Sequence, residues 1–156
     1  MQPEEGDFAS QVWQWFGEER YRLILGLGAL YPALDYLALD ADTQVNSTPM
    51  CPACEAWYGR IVPVHDALEA WGGELPARVR EALAAVWRHA QGLSEEALRC
   101  GDWPIFREPD WVALREAAAE ALRVLGWEAL EEHLEALLQD CREADERRRR
   151  TGLFID

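Results

Sequence analysis

Apolar residues recur at spacings of three and four along most of the chain, the pattern of helices that bury one face. The first run takes Phe8, Val12, Trp15, Phe16, Leu23, Leu27 and Leu30, with Asp7 placed to cap it, and predicts a helix bent near Gly17. Gly26, Gly28 and the Tyr31-Pro32 pair weaken its far end, because the residue before a proline is pushed out of the α region. A second helix is therefore expected to restart at Pro32 and to carry Leu34, Leu37 and Leu39. The polar run DADTQVNST that follows reads as the longest loop.

Residues 48–73 predict a central helix, with Cys51 as N-cap, Pro52 in the first turn and Gly72-Gly73 closing it. Its expected buried stripe is Cys54, Trp57, Ile61, Leu68 and Trp71. Pro63 removes the bond to the Gly59 carbonyl and should kink it. Pro76 opens the next helix, striped by Val79, Leu83, Val86, Trp87 and Ala90 up to Gly92. Ser94 caps a short helix ended by Gly101, and DWPIFREPD is an irregular connector offering Trp103, Ile105 and Phe106 to the edge of a core. Trp111, Leu114, Ala118, Ala121, Leu122 and Leu125 mark another helix, which Gly126 interrupts before Leu130, Leu134, Leu137, Leu138 and Cys141 mark the last. A strand pattern competes only at Leu153-Phe154-Ile155. The expected fold class is all-α: one domain over residues 1–156, a bundle of about six helices with short connections, and a C-terminal tail from about residue 146.

Length and composition sharpen this picture. At 156 residues and 49% hydrophobic content the chain suits a single core, and it has no apolar run of about 18 residues that would predict a membrane span. The opening MQPEEGDF places acids where a secretory signal carries positive charge, so the expected compartment is the cytoplasm. There are 29 acidic residues against 15 basic ones, every basic residue is Arg, and the net charge is −14. The body to residue 141 is acidic, whereas residues 142–156 carry four acids and five Arg. Such a body is repelled by phosphate backbones, which argues against direct nucleic-acid binding, and its association with a basic protein would be accelerated. The run Arg147 to Arg150 is expected to complement the dipole of the last helix rather than to bind nucleic acid.

The candidate chemistry is sparse. Cys51-Pro52-Ala53-Cys54 has the spacing of a dithiol redox motif or of half a zinc site, and a helix N-terminus at Cys51 would favour thiolate. A zinc site needs further ligands. His65 is eleven residues beyond Cys54, about 16 Å along a helix, so the remaining candidates are Cys100, Cys141, His89 and His133, none of which forms a second close pair. The pair is thus expected to serve mainly as the start of a core helix. The chain has no HExxH, no GxSxG and no phosphate-binding glycine loop, and the i, i+4 carboxylate pairs Glu131/Glu135 and Glu116/Glu120 read as solvated helix faces.

Eight tryptophans are many for this length, and Trp13 and Trp15, about 200° apart on a helix, cannot both be buried on one side. Trp13 or Trp103 on the surface, together with Phe154 in the tail, are the candidates for partner contact. The function expected is a small acidic helical protein-binding module, an inhibitor, immunity-type or chaperone-type partner of a basic protein, without a cofactor, a reading the sequence favours over an enzyme without deciding between them. Two alternatives stand beside it: a redox or metal-binding protein using Cys51 and Cys54, and a structural homo-oligomeric subunit assembled through the tail.

Overall fold

Helix follows helix through residues 8–48 and 50–151, the parts of the chain that a computed structural model describes. The α-helical segments are α1 (Phe8–Gly17), α2 (Tyr21–Leu25), α3 (Leu27–Ala38), α4 (Ala41–Asn46), α5 (Pro52–Ala56), α6 (Val62–Trp71), α7 (Ala77–Gln91), α8 (Pro109–Leu125) and α9 (Trp127–Arg150). Among the described residues there is no strand, and the fold is an all-α bundle with short connections. Asp7, Leu153, Phe154 and Ile155 lie outside the described residues.

Three departures from the periodicity have physical causes. The chain breaks after Gly17, where Glu19 takes a left-handed φ of 62°, and α3 then starts at Leu27, which leaves Pro32 inside it instead of at its start. A proline within a helix costs about 3 kcal/mol, whereas burying Leu27, Leu30 and Tyr31 on the same face as Leu34 and Leu37 returns roughly 2 kcal/mol for each side chain. The polar run forms α4 instead of a loop. Asp40 caps it by accepting the Thr43 N–H at 2.8 Å, and Gln44 is fully buried, donating to the Tyr36 carbonyl at 3.0 Å and accepting from Arg115 Nη2 at 2.8 Å. Its one fully buried residue is polar and is fixed by hydrogen bonds, with Ala41 and Val45 only half-buried against the core, so a reading of hydrophobic spacing misses it.

The third departure lies between α5 and α6. Trp57–Ile61 form a π-helical turn, which widens the helix just before Pro63 and relieves the clash of its ring with the preceding turn. One extra residue in that turn rotates the preceding segment about the helix axis. The buried residues include Ala53, Ala56, Ile61, Val64, Ala67 and Trp71, with Trp57 and Leu68 packed half-buried against the core, whereas Cys54, expected at the head of the stripe, faces out.

The core joins all of these segments. α8 packs against α3 and α7, α6 lies on α3 and α7, and α2 meets α9. Its largest fully buried side chains include Trp15, Trp71, Trp111, Tyr31, Phe8 and Phe106. Trp15 is 0% exposed and Trp13 47%, the division that their two-residue separation requires. Gly126, with φ 68° and ψ 40°, makes the left-handed turn from α8 into α9. Arg147 to Arg150 complete α9, and within this run Arg148 donates to the Glu19 carbonyl at 2.9 Å, a contact with the body, while Arg149 pairs at 3.1 Å with Asp145 one turn back on the same helix.

Candidate metal centre

Cys51 is the N-cap of α5, and Pro52 follows at the first helical position, where its missing N–H costs nothing. The Cys51 carbonyl accepts the Glu55 N–H at 2.9 Å, and its sulfur accepts the backbone N–H of Gly101 at 3.4 Å. This last donor comes from far along the chain. A 3-10 turn at Glu96–Leu98 and an extended Arg99 lead into Cys100 and Gly101, and a φ of 69° at Gly101 turns the chain into a second 3-10 segment, Trp103–Arg107.

Four contacts hold this connector in place. Trp111 Nε1 donates to the Ala97 carbonyl at 3.0 Å and the Ser94 N–H donates to Asp110 Oδ2 at 2.8 Å. Arg115 Nη2 donates to the Phe106 carbonyl at 3.1 Å. Trp103 Nε1 donates to the Thr48 carbonyl at 2.8 Å, tying the connector directly to the segment that leads into Cys51. Trp103 is only 37% exposed, and its indole N–H is committed to this internal bond.

The result is that the sulfurs of Cys51, Cys54 and Cys100 all lie within 4.8 Å of one another. Tetrahedral zinc with sulfur at about 2.3 Å sets its ligands roughly 3.8 Å apart, so small side-chain rotations bring the three into coordination range. Cys51 is half-buried, and Cys54 and Cys100 are exposed. The N–H of Cys54 and then that of Gly101 stabilise the Cys51 thiolate and bring its pKa down to about 7. Cys54, facing first the Cys51 sulfur and then that of Cys100, is pushed up to about 11. A bound cation would reverse this repulsion and hold all three as thiolates.

Among the described residues, Cys141 and the three histidines stand outside the cluster. Cys141 is fully buried on α9, and desolvation raises its pKa to about 11. His65 stacks on Trp87 at 4.5 Å between ring centroids. Sequence spacing named the Cys51/Cys54 pair but gave Cys100 no special place, because it stands alone, 46 residues beyond Cys54. The available signal was its setting, a lone cysteine followed by a turn glycine in a linker, but only the fold shows where that linker returns.

These features define an all-α protein with an accessible three-thiol cluster at a helix N-terminus. No protein-family model matches the chain, and neither a curated protein nor a solved structure does.

Proposed function

We propose that this protein binds a thiophilic d10 cation, zinc in the first instance, through Cys51, Cys54 and Cys100. The convergence of the third sulfur carries this reading: a redox dithiol needs two cysteines, whereas a metal needs several ligands on one point. The chain supplies three ligands from the described residues and leaves two of them exposed, which suits a site with an open coordination position better than a closed structural site. The chemistry implied is holding or passing on a cation, with the remaining position open to water or to an incoming donor.

The test is titration of the reduced protein with zinc and with cobalt as a spectroscopic substitute. One metal per chain is expected, with intense sulfur-to-cobalt charge-transfer absorption and the visible bands of a tetrahedral site. Metal content well below one per chain, with all three thiols verified as reduced, would remove the reading.

A second reading, a docking face for a basic protein, draws on the exposure of Trp13. Its ring packs edge-on to His133, which stands on α9 among the exposed Glu131, Glu132 and Glu135, on a chain of net charge −14. A central tryptophan of this kind contributes about 2 kcal/mol or more to binding, so Trp13→Ala is expected to weaken a basic partner by roughly thirtyfold. Binding should also fall as salt rises. Recovery of nothing but general chaperones at both low and high salt counts against this reading. The assembly expected through the Leu153-Phe154-Ile155 tail, and the partner contact expected from Phe154, rest on residues outside the described part of the chain.

A further inference from the structure

We propose that the metal-free triad also reacts with disulfides, Cys51 attacking and Cys54 closing, so that metal coordination and thiol–disulfide exchange compete for the same sulfurs. Only the competition rests on the metal-site reading; the exchange stands on the geometry of the cysteines. The Cys51 sulfur accepts the Gly101 backbone N–H at 3.4 Å, a fixed dipole that favours the anion needed for attack. Cys54, three residues on, is exposed and within 4.8 Å of it. An N-cap and the third residue of its helix have Cα atoms about 5 Å apart, inside the range that a disulfide spans, so the pair closes without unwinding α5. Cys141, fully buried on α9, takes no part.

The substrate class is a disulfide, R–S–S–R, accessible at the surface. The Cys51 thiolate attacks one sulfur, the S–S bond breaks, and the first RS⁻ leaves and takes up a proton. Cys54 then gives up its proton, and its sulfur attacks the Cys51 sulfur and displaces the second RS⁻, which is protonated in turn. Two thiols of the protein are oxidised to the Cys51–Cys54 disulfide, and one R–S–S–R is reduced to two RSH. Closure removes two of the three metal ligands and leaves Cys100 alone.

The reduced, metal-free full chain is mixed with glutathione disulfide, and the products are mapped by mass spectrometry. Two glutathiones released per chain and a Cys51–Cys54 disulfide are expected. The Cys54→Ser/Cys100→Ser double variant should retain one glutathionyl group, on Cys51. Cys51→Ser should lose the rapid closure and collect adducts on Cys54 and Cys100 instead. Wild-type adducts at Cys54 and Cys100 without closure would overturn the proposal, and so would closure in Cys51→Ser as fast as in the wild type. The zinc-loaded protein is expected to react more slowly and to release zinc in step with closure. If the disulfide closes but the reduced protein holds no zinc, the metal reading falls and the exchange stands. If zinc binds and no disulfide closes, the exchange alone falls.

Discussion

Replacing Cys100 by Ser is expected to weaken zinc binding about a hundredfold while the helical fold stays intact. Structural zinc sites with four ligands gain roughly 10–16 kcal/mol, which is about 3 kcal/mol per ligand and corresponds to about two decades in affinity. The serine hydroxyl does not replace a thiolate, because it stays protonated at neutral pH and is a harder donor. Cys100 is exposed on the connector, so the substitution should change unfolding free energy by about 0.5 kcal/mol or less. Competition against a chromophoric chelator measures the affinity, and a value within a factor of two of the wild type would show that Cys100 is not a ligand. Cys141→Ser is the complementary control. It should leave zinc affinity unchanged and lower stability, because it places a hydroxyl in a fully buried site on α9.

Trp111→Ala should cost about 4 kcal/mol of stability, a large share of the roughly 5–15 kcal/mol available to a domain. Trp111 is fully buried, its ring meets that of Phe106 at 4.9 Å, and its Nε1 satisfies the Ala97 carbonyl. The substitution opens a cavity between α8 and the connector and also strands a buried acceptor. Urea unfolding reads the change as a drop in midpoint with little change in slope. Trp111→Phe separates the two contributions. It keeps most of the packing and loses the hydrogen bond, for a cost of about 1–2 kcal/mol. Because that bond anchors the segment leading to Cys100, the Phe variant is expected to bind zinc more weakly while remaining folded. Equal zinc affinity in Trp111→Phe and wild type would mean that the remaining anchors, Trp103 on Thr48 and Arg115 on Phe106, hold the connector without it.

The parts of the fold that were legible in the sequence are those stabilised by apolar burial at helical spacing. α7, α8 and α9 bury Val79, Leu83 and Val86, then Trp111, Leu114 and Ala118, then Leu130, Leu134 and Leu137, each as the periodicity predicts. α4 was illegible because its buried residue is Gln44, whose partners Tyr36 and Arg115 lie eight positions before it and 71 after it. In the stripe from Cys54 to Trp71, Ile61 and Trp71 are buried and Trp57 and Leu68 pack against the core, and only its head, Cys54, departs, for another reason. A stripe at 3.6 residues per turn holds only along a regular α-helix, and the π-helical turn at Trp57–Ile61 changes that count in the middle of the segment. Cys54 moved from an expected buried position to the surface as a consequence, and with it the pair changed from the start of a core helix to an accessible part of a cluster.

By itself the sequence determined the class of fold, the acidity of the body, and the local frame of Cys51 and Pro52 at a helix start, since these follow from side-chain spacing, charge and the restricted backbone of proline. Tertiary structure alone decided the composition of the candidate site. Cys100 reaches the pair because Trp103, Trp111 and Arg115 donate hydrogen bonds to backbone carbonyls 55, 14 and 9 residues away, and such donor–acceptor matches leave no periodic trace along the chain. Whether two sulfurs or three meet at the helix N-terminus depends on those bonds.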